Sequence, residues 1–449
     1  MSSELDEKST TSLWTGRHGV ATVGVFSLAF LFAFESYAVI TALPVVADDL
    51  DGVSWYAIAF AAPLATSVVA TAGGGAWCDR AGPLRPMLLG VVGFGIGLVL
   101  AGLAPSMPWF LAGRAVQGVG SGLAAVGLYV LIAKTFPAEL RPRAFAVLTS
   151  AWTLPALVGP PVAGWIAHEL GWRWVFLGVP LLAVLAFAVL LDPLRRAGTG
   201  TGETRPVALG SATLVAVGVL AVSVAGQRVV TWWPVVLALG LVAVVVGAPR
   251  LLPAGVWTGG RGLPSVLATR GLIAAAFFGA EAYLVLSLVE HRGMTPTVAG
   301  LVAGAAAFAW FGGAWSSAHL AALHDRRLRL RVASASVVVG TLAALVVPTV
   351  VPLAVVVLAW AVGGFGMGLG FSTMSVLVLE LSASGEEGRN SASTQINDQI
   401  TQATWLALGS VAFAALLPVD QDAAFSAVVG GSLLLALASF LPQRRIGVR

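Results

Sequence analysis

The sequence predicts an all-α polytopic membrane protein: fourteen spanning helices, built as two six-helix halves with two further helices inserted between them. Three observations carry that prediction. Charged residues are only 10% of the 449, against roughly 25% in an ordinary soluble domain. Apolar runs of spanning length follow one another along the chain. The first part of the chain also repeats in the second.

Hydrophobic residues make up 58% of the chain, and its mean hydropathy is +0.91. A soluble fold of this length cannot hide that much apolar surface, so the lipid bilayer is its main solvent. The pI of 9.7 does not imply nucleic acid, because the arginines lie in short clusters between apolar runs, as in membrane loops. One cysteine, Cys78, excludes an intramolecular disulfide and a multi-cysteine metal site. Glu4, Asp6 and Glu7 ahead of the first apolar stretch are unlike a cleavable signal peptide, so the first helix is expected to stay in the membrane. No Gly-Lys-Ser/Thr phosphate loop and no nucleophile–base pair stands out, so neither cofactor nor enzyme activity is expected.

A helix needs about 20 mostly apolar residues to cross the hydrocarbon core. Such segments lie near 19–43, 53–77, 85–104, 109–133, 143–167 and 174–192, then near 264–289, 297–321, 331–349, 353–380, 390–417 and 423–441. Between them sit the inserted pair, 207–226 and 232–250. The domain plan is thus an N-terminal segment 1–18, a half 19–192, a linker with the inserted helices 193–263, a half 264–441 and a tail 442–449. An even count puts both termini on one side. Of the 25 lysines and arginines, Arg173, Arg228 and Arg292 fall opposite and Arg114 lies within a span; the other 21, from Lys8 through Arg205 and Arg270 to Arg449, share the side of the termini. The positive-inside rule makes that side cytoplasmic, in a plasma (inner) membrane.

Shifting the chain by 246 positions lays Glu35 and Tyr37 on Glu281 and Tyr283, Asp79-Arg80 on Asp325-Arg326, and the glycine-rich stretch 115–123 on 361–369. Three matches at one offset make residues before and after the insert two copies of one unit in the same orientation, with a cavity expected between them.

Several motifs carry physical sense. The loop Gly75-Ala-Trp-Cys-Asp79-Arg80-Ala-Gly82-Pro-Leu-Arg85 sets an acid and bases where helix ends meet, suited to latching the inner gate shut; a fixed topogenic charge cluster is the alternative. Gly159-Pro160-Pro-Val-Ala-Gly164 permits a bend and close packing against the opposite half. Together with Arg114-Ala-Val-Gln117-Gly118, the spacing from Glu35 to Ala42-Leu43-Pro44, and Trp172-Arg173-Trp174-Val-Phe176, these stretches resemble the fourteen-helix drug:proton antiporters of the major facilitator superfamily. The sequence departs from that group's pattern at Pro155 and Ala163, where glycine is expected, and at Glu35, where the group has Asp. The resemblance implies two parallel halves, alternating access and export, with Gly159, Pro160 and Gly164 as the antiporter motif.

Ionisable groups at membrane depth cost about 2.5–3.5 kcal/mol each on insertion scales, so they mark function. Glu35, Arg114, Glu281 and Asp398 are the candidates for proton coupling. An ion pair of Glu35 with Arg114 would break on protonation of Glu35; a permanent structural pair is the alternative. Gln395, Asp398, Gln399 and Gln402 share one helix face, turned either to the cavity or to a neighbouring helix. Glu281 meets Trp360 where the first half has Arg114, and as a lone carboxylate it either holds a proton or awaits a cation. Glu380, with Asp325 and Arg326, is a gate candidate. Trp152, Trp165, Trp310, Trp315, Trp360 and Trp405 lie within spans, where some line a cavity and others simply pack. His319 and His324 read as loop residues.

The expected function is a proton-coupled exporter, working as a monomer, of hydrophobic cationic or neutral small molecules. Its substrate ligands are Glu35, Tyr37, Gln117, Trp152, Glu281, Tyr283, Trp360, Gln395, Asp398 and Gln402. Export of a lipid, cell-wall precursor or secondary metabolite, and a non-transporting membrane sensor or scaffold, are the alternatives.

Overall fold

The computed structural model describes residues 12–137, 140–199, 208–227, 231–319, 325–348, 351–382 and 387–447. The acidic residues Glu4, Asp6 and Glu7, the basic residues Lys8, Arg205, Arg228 and Arg449, and His324 lie outside them. Every regular element among the described residues is helical. The long helices are α1 (Gly16–Asp49), α2 (Tyr56–Ala81), α3 (Leu84–Gly102), α4 (Met107–Thr135), α5 (Arg141–Ile166), α6 (Val179–Arg196), α7 (Leu209–Gly226) and α8 (Trp233–Gly247). They continue with α9 (Leu263–Arg292), α10 (Pro296–His319), α11 (Arg326–Leu345), α12 (Leu353–Glu380), α13 (Glu387–Leu416) and α14 (Gln421–Ala438).

Among the described residues twelve helices are long and apolar enough to cross a membrane. The two outside that set are α5, with Arg141, Arg143 and three internal prolines, and α13, with its stripe of Asn, Gln and Asp.

The repeat read from sequence reappears as packing. In the first half α1 packs on α5 and α6, α2 on α4, and α3 on α4 and α6; the second half repeats each pairing with α9 to α14. Small residues allow the close approaches. A Cβ on Gly113 of α4 would stand 2.6 Å from the Ala101 nitrogen of α3, inside any tolerable contact.

The halves meet at the end away from the termini. There α5 packs on α10 and α2 on α13, and the rings of Tyr56 and Tyr283 lie 5.8 Å apart. At the opposite end α4 and α12 share no substantial packing among the described residues, the arrangement of two halves parted on the side of the termini. The inserted α7 packs on α2 and α13 together, straddling the seam of the two halves, while α8 leans on α7.

Candidate functional site

The first half centres on Arg114, eight residues into α4. Its Nη1 donates to Glu35 Oε1 on α1 and to Gln117 Oε1 one turn along α4. Its Nε donates to the Ala59 carbonyl of α2 at 3.1 Å. Glu35, Arg114 and Gln117 are only 3, 4 and 2% exposed, so three helices are tied around a site shut off from solvent. A proton taken up by Glu35 would cancel the ion pair, yet leave Arg114 its bonds to Gln117 and Ala59.

Trp360 takes Arg114's place in the second half and does part of its job. Its indole Nε1 donates to the Ala303 carbonyl of α10 at 3.1 Å, as Arg114 does to α2. Its ring stacks on Phe277 at 4.6 Å between centroids. Trp360 is wholly buried, so in this conformation it packs the half and does not line the cleft. Glu281 gains no cation from the exchange: its Oε2 is buried without a hydrogen bond among the described residues. Tyr37 lies in the field of that carboxyl. The hydroxyls of Thr41, Tyr56 and Tyr283 are likewise buried and unpartnered. Unsatisfied polar atoms at a sealed seam oppose a dry, permanent closure.

Asp398 has a partner that the sequence reading placed elsewhere. Counted among the charges on the side of the termini, Arg270 in fact stands two turns inside α9 and turns to the interior. Its Nε donates to Asp398 Oδ2 at 2.8 Å, and its Nη1 donates to Ser375 Oγ at 3.1 Å and to the Phe371 carbonyl at 3.3 Å. The guanidinium also lies 3.9 Å over the Phe371 ring. Both side chains keep some exposure, 12 and 13%, and Tyr129 of the first half lies in their field, so the pair faces the first half. The expected excess of three intramembrane acids over one base therefore falls to three against two. Gln395 and Gln402 are half-buried on the same helix, and Asp398 Oδ1 and Gln399 Oε1 lack hydrogen bonds.

Of the tryptophans, Trp152, Trp165 and Trp315 are exposed. Trp310 packs among Phe277, Phe278 and Phe371, and Trp405 donates to Ser432 at 2.9 Å.

The two Asp-Arg pairs differ in local structure. Asp79 and Arg80 end α2, exposed and without hydrogen bonds among the described residues, and Arg85 is exposed as well. Asp325 instead caps α11, accepting from the Arg327 backbone at 2.8 Å, and Arg326 forks onto Glu380 of α12, with Nη2 to Oε1 at 2.7 Å. The helix that follows starts earlier in the second copy, so a charged pair that matches in sequence does not match in role. Of the two glycines in the first loop, Gly82 makes a tight approach and Gly75 does not. Gly82 holds φ +76° against Gly198 and Thr199, whereas a Cβ on Gly75 would meet open space.

Part of the Gly159–Gly164 stretch faces the other half: a Cβ on Gly164 would lie 2.6 Å from Thr297, and Pro160 adjoins Gly300 of α10, whereas a Cβ on Gly159 would lie 3.3 Å from Tyr37 of α1, within its own half. The helix runs unbroken through Pro155, Pro160 and Pro161 and ends in a π turn, Ala167–Gly171.

The profile described as Major Facilitator Superfamily matches residues 25–406. A Mycobacterium tuberculosis protein named as a probable multidrug-efflux transporter is 30% identical over 393 residues, covering 82% of this chain and 81% of the relative. A Bacillus subtilis multidrug transporter is 29% identical over 178 residues, 39% of this chain and 33% of its own. In fold, the chain is similar to a crystal structure of a peptide transporter in complex with sulfate, with TM-score 0.70, 16% identity and 98% of each chain covered.

Proposed function

The chain belongs to the major facilitator superfamily, and from that premise we propose that it exports hydrophobic small molecules, cationic or neutral, in exchange for protons. Alternating access moves the cleft, seen here open on the side of the termini, to the other face. The reading includes fourteen spans, with α5 and α13 crossing the membrane as polar, cavity-facing members, and termini in the cytoplasm of a plasma membrane. The clustering of basic residues supports that orientation.

One observation carries the coupling: a carboxylate, Glu35, sealed with Arg114 and Gln117 at the junction of three helices. Such a pair is strong while charged and weak once protonated, so a proton changes how α1, α2 and α4 are held. The names of the M. tuberculosis and B. subtilis relatives support drug-like substrates. In the working arrangement Glu35, Arg114 and Glu281 handle protons. Asp398 with Arg270, Gln395, Gln402, Trp152 and Tyr129 meets substrate in the open cleft, and Asp79-Arg80 and Arg326–Glu380 act at its mouth.

The test is reconstitution of the purified protein in proteoliposomes, with a panel of lipophilic cations and neutral amphiphiles and an imposed pH gradient. Uphill movement of at least one compound, reversed with the gradient, is expected. Movement of none under any gradient would remove transport from the reading and favour a scaffold.

A further inference from the structure

The ends of α11 and α14 on the side of the termini enclose a recess of about 350 Å³. Arg326, Arg327 and Arg331 wall it from α11, and Arg444 walls it from the turn after α14. Phe440 and Leu330 supply apolar floor. The nearby acids are already engaged, Asp325 by the Arg327 backbone and Glu380 by Arg326. Arg331 and Arg444 are exposed and make no hydrogen bond to another described residue.

Each of those two arginines also ends an exposed apolar stripe. On α11, Arg331, Ala335, Val339 and Leu342 recur at helical spacing and are all exposed. On α14 and its continuation, Leu437, Leu441 and Arg444 do the same, with Leu437 48% and Leu441 64% exposed. In a membrane protein, exposed leucines along a helix face are lipid-facing. The recess is therefore a basic hole at the foot of two acyl-chain tracks.

We propose that it binds the phosphate headgroup of an anionic phospholipid from the leaflet on the side of the termini. Guanidinium groups fork onto phosphate oxygens, and basic pockets between membrane helices suit anionic headgroups. A soluble phosphate would use the arginines but leave the stripes without purpose; the stripes are what select a lipid. Arg326 forms one wall and holds α12 through Glu380, so the headgroup sits beside a link at the mouth of the cleft. The site does not depend on what the cleft carries.

The test uses full-length, delipidated protein in neutral detergent, titrated with phosphatidylglycerol, phosphatidylcholine or inorganic phosphate. Bound lipid is counted by native mass spectrometry, and the unfolding temperature is followed in parallel. Phosphatidylglycerol should bind and stabilise the wild type, and phosphatidylcholine and inorganic phosphate should not. The double variant Arg331→Gln/Arg444→Gln should bind it roughly thirtyfold more weakly. The charge-matched control Arg17→Gln/Arg195→Gln should bind as wild type does. Equal binding of the two phospholipids by wild type overturns the site, a result that needs no variant to fold. So does an unchanged affinity in Arg331→Gln/Arg444→Gln, or an equal loss in the control pair. Stabilisation by inorganic phosphate alone would replace the lipid with a soluble anion.

Discussion

Replacing Glu35 with glutamine separates coupling from folding, because the two effects of Glu35 have different sizes. Glutamine keeps the shape and an oxygen that can accept from Arg114, so the hydrogen bond survives while the charge goes. The stability loss should then be about 1–2 kcal/mol, the difference between a charge-assisted bond and an ordinary one. Arg114→Ala removes the donors to Glu35, Gln117 and Ala59 together and strands a carboxylate that is only 3% exposed. That should cost about 3–5 kcal/mol. In transport the order reverses in interest. Glu35→Gln mimics the protonated acid permanently, so substrate should still bind while uphill movement driven by a pH gradient disappears. Unfolding in detergent measures the first quantity, and everted vesicles loaded with a fluorescent lipophilic cation measure the second. Gradient-driven transport at the wild-type rate by Glu35→Gln would refute the coupling role. Purely additive stabilities in the Glu35→Gln/Arg114→Gln cycle would refute the energetic link itself.

The other sites give sharper signs than sizes. Asp398→Asn leaves Arg270 uncompensated beside the cleft, so transport of cations should fall more than that of neutral compounds. Arg270→Gln exposes Asp398 and should shift the ratio the opposite way, and parallel losses in both variants would mark the pair as structural. At the closed seam, Gly164→Val and Gly300→Val place Cβ atoms where Thr297 Cα and Thr41 Oγ1 lie 2.6 and 2.7 Å away. Labelling of introduced cysteines from that side, in a Cys78→Ala background, should rise; unchanged labelling would mean the seam closes elsewhere. Asp79 makes no hydrogen bond among the described residues in this conformation, so Asp79→Asn should favour it by roughly 1–2 kcal/mol, by weakening only the opposite one. Greater accessibility of the cleft from the side of the termini is the expected readout, and a greater effect of Asp325→Asn would move the latch to the second half.

What the sequence could reveal depended on whether one residue type had one physical use. Helix positions were legible because a run of about 20 apolar residues has few fates other than a membrane. The halves were legible because a 246-residue offset preserves packing positions, and the same helix pairings recur in both. Arg114 was legible for a similar reason, since a guanidinium within a span, at the end away from the basic side of the chain, must find a carboxylate, and Glu35 stands at matching depth. Arg270 was not, although it lies inside an apolar run just as Arg114 does. Both are the eighth residue of their helices, but Arg270 lies towards the side of the termini, where arginines also crowd the loops, and a long side chain there reaches either the loop or the interior. Only the approach of α13 and α12 fixes its choice, through Asp398, Phe371 and Ser375.

The Asp-Arg repeat failed in the opposite way: its residues matched, but the start of α11 at Arg326 turned a loop pair into a helix cap and a fork onto Glu380. Repetition in sequence preserves the core because packing has to be kept on every face. A loop keeps residues without keeping their partners, so the two halves of one ancestral unit can hold their helices alike and guard the cleft differently. That asymmetry extends inward, where Arg114 holds Glu35 in one half and Trp360 leaves Glu281 bare in the other. With one carboxyl neutralised and its repeat mate not, a proton or a cation has different consequences on the two sides of the seam. A difference of that kind gives an exchanger two distinguishable steps, whereas two identical halves would respond alike.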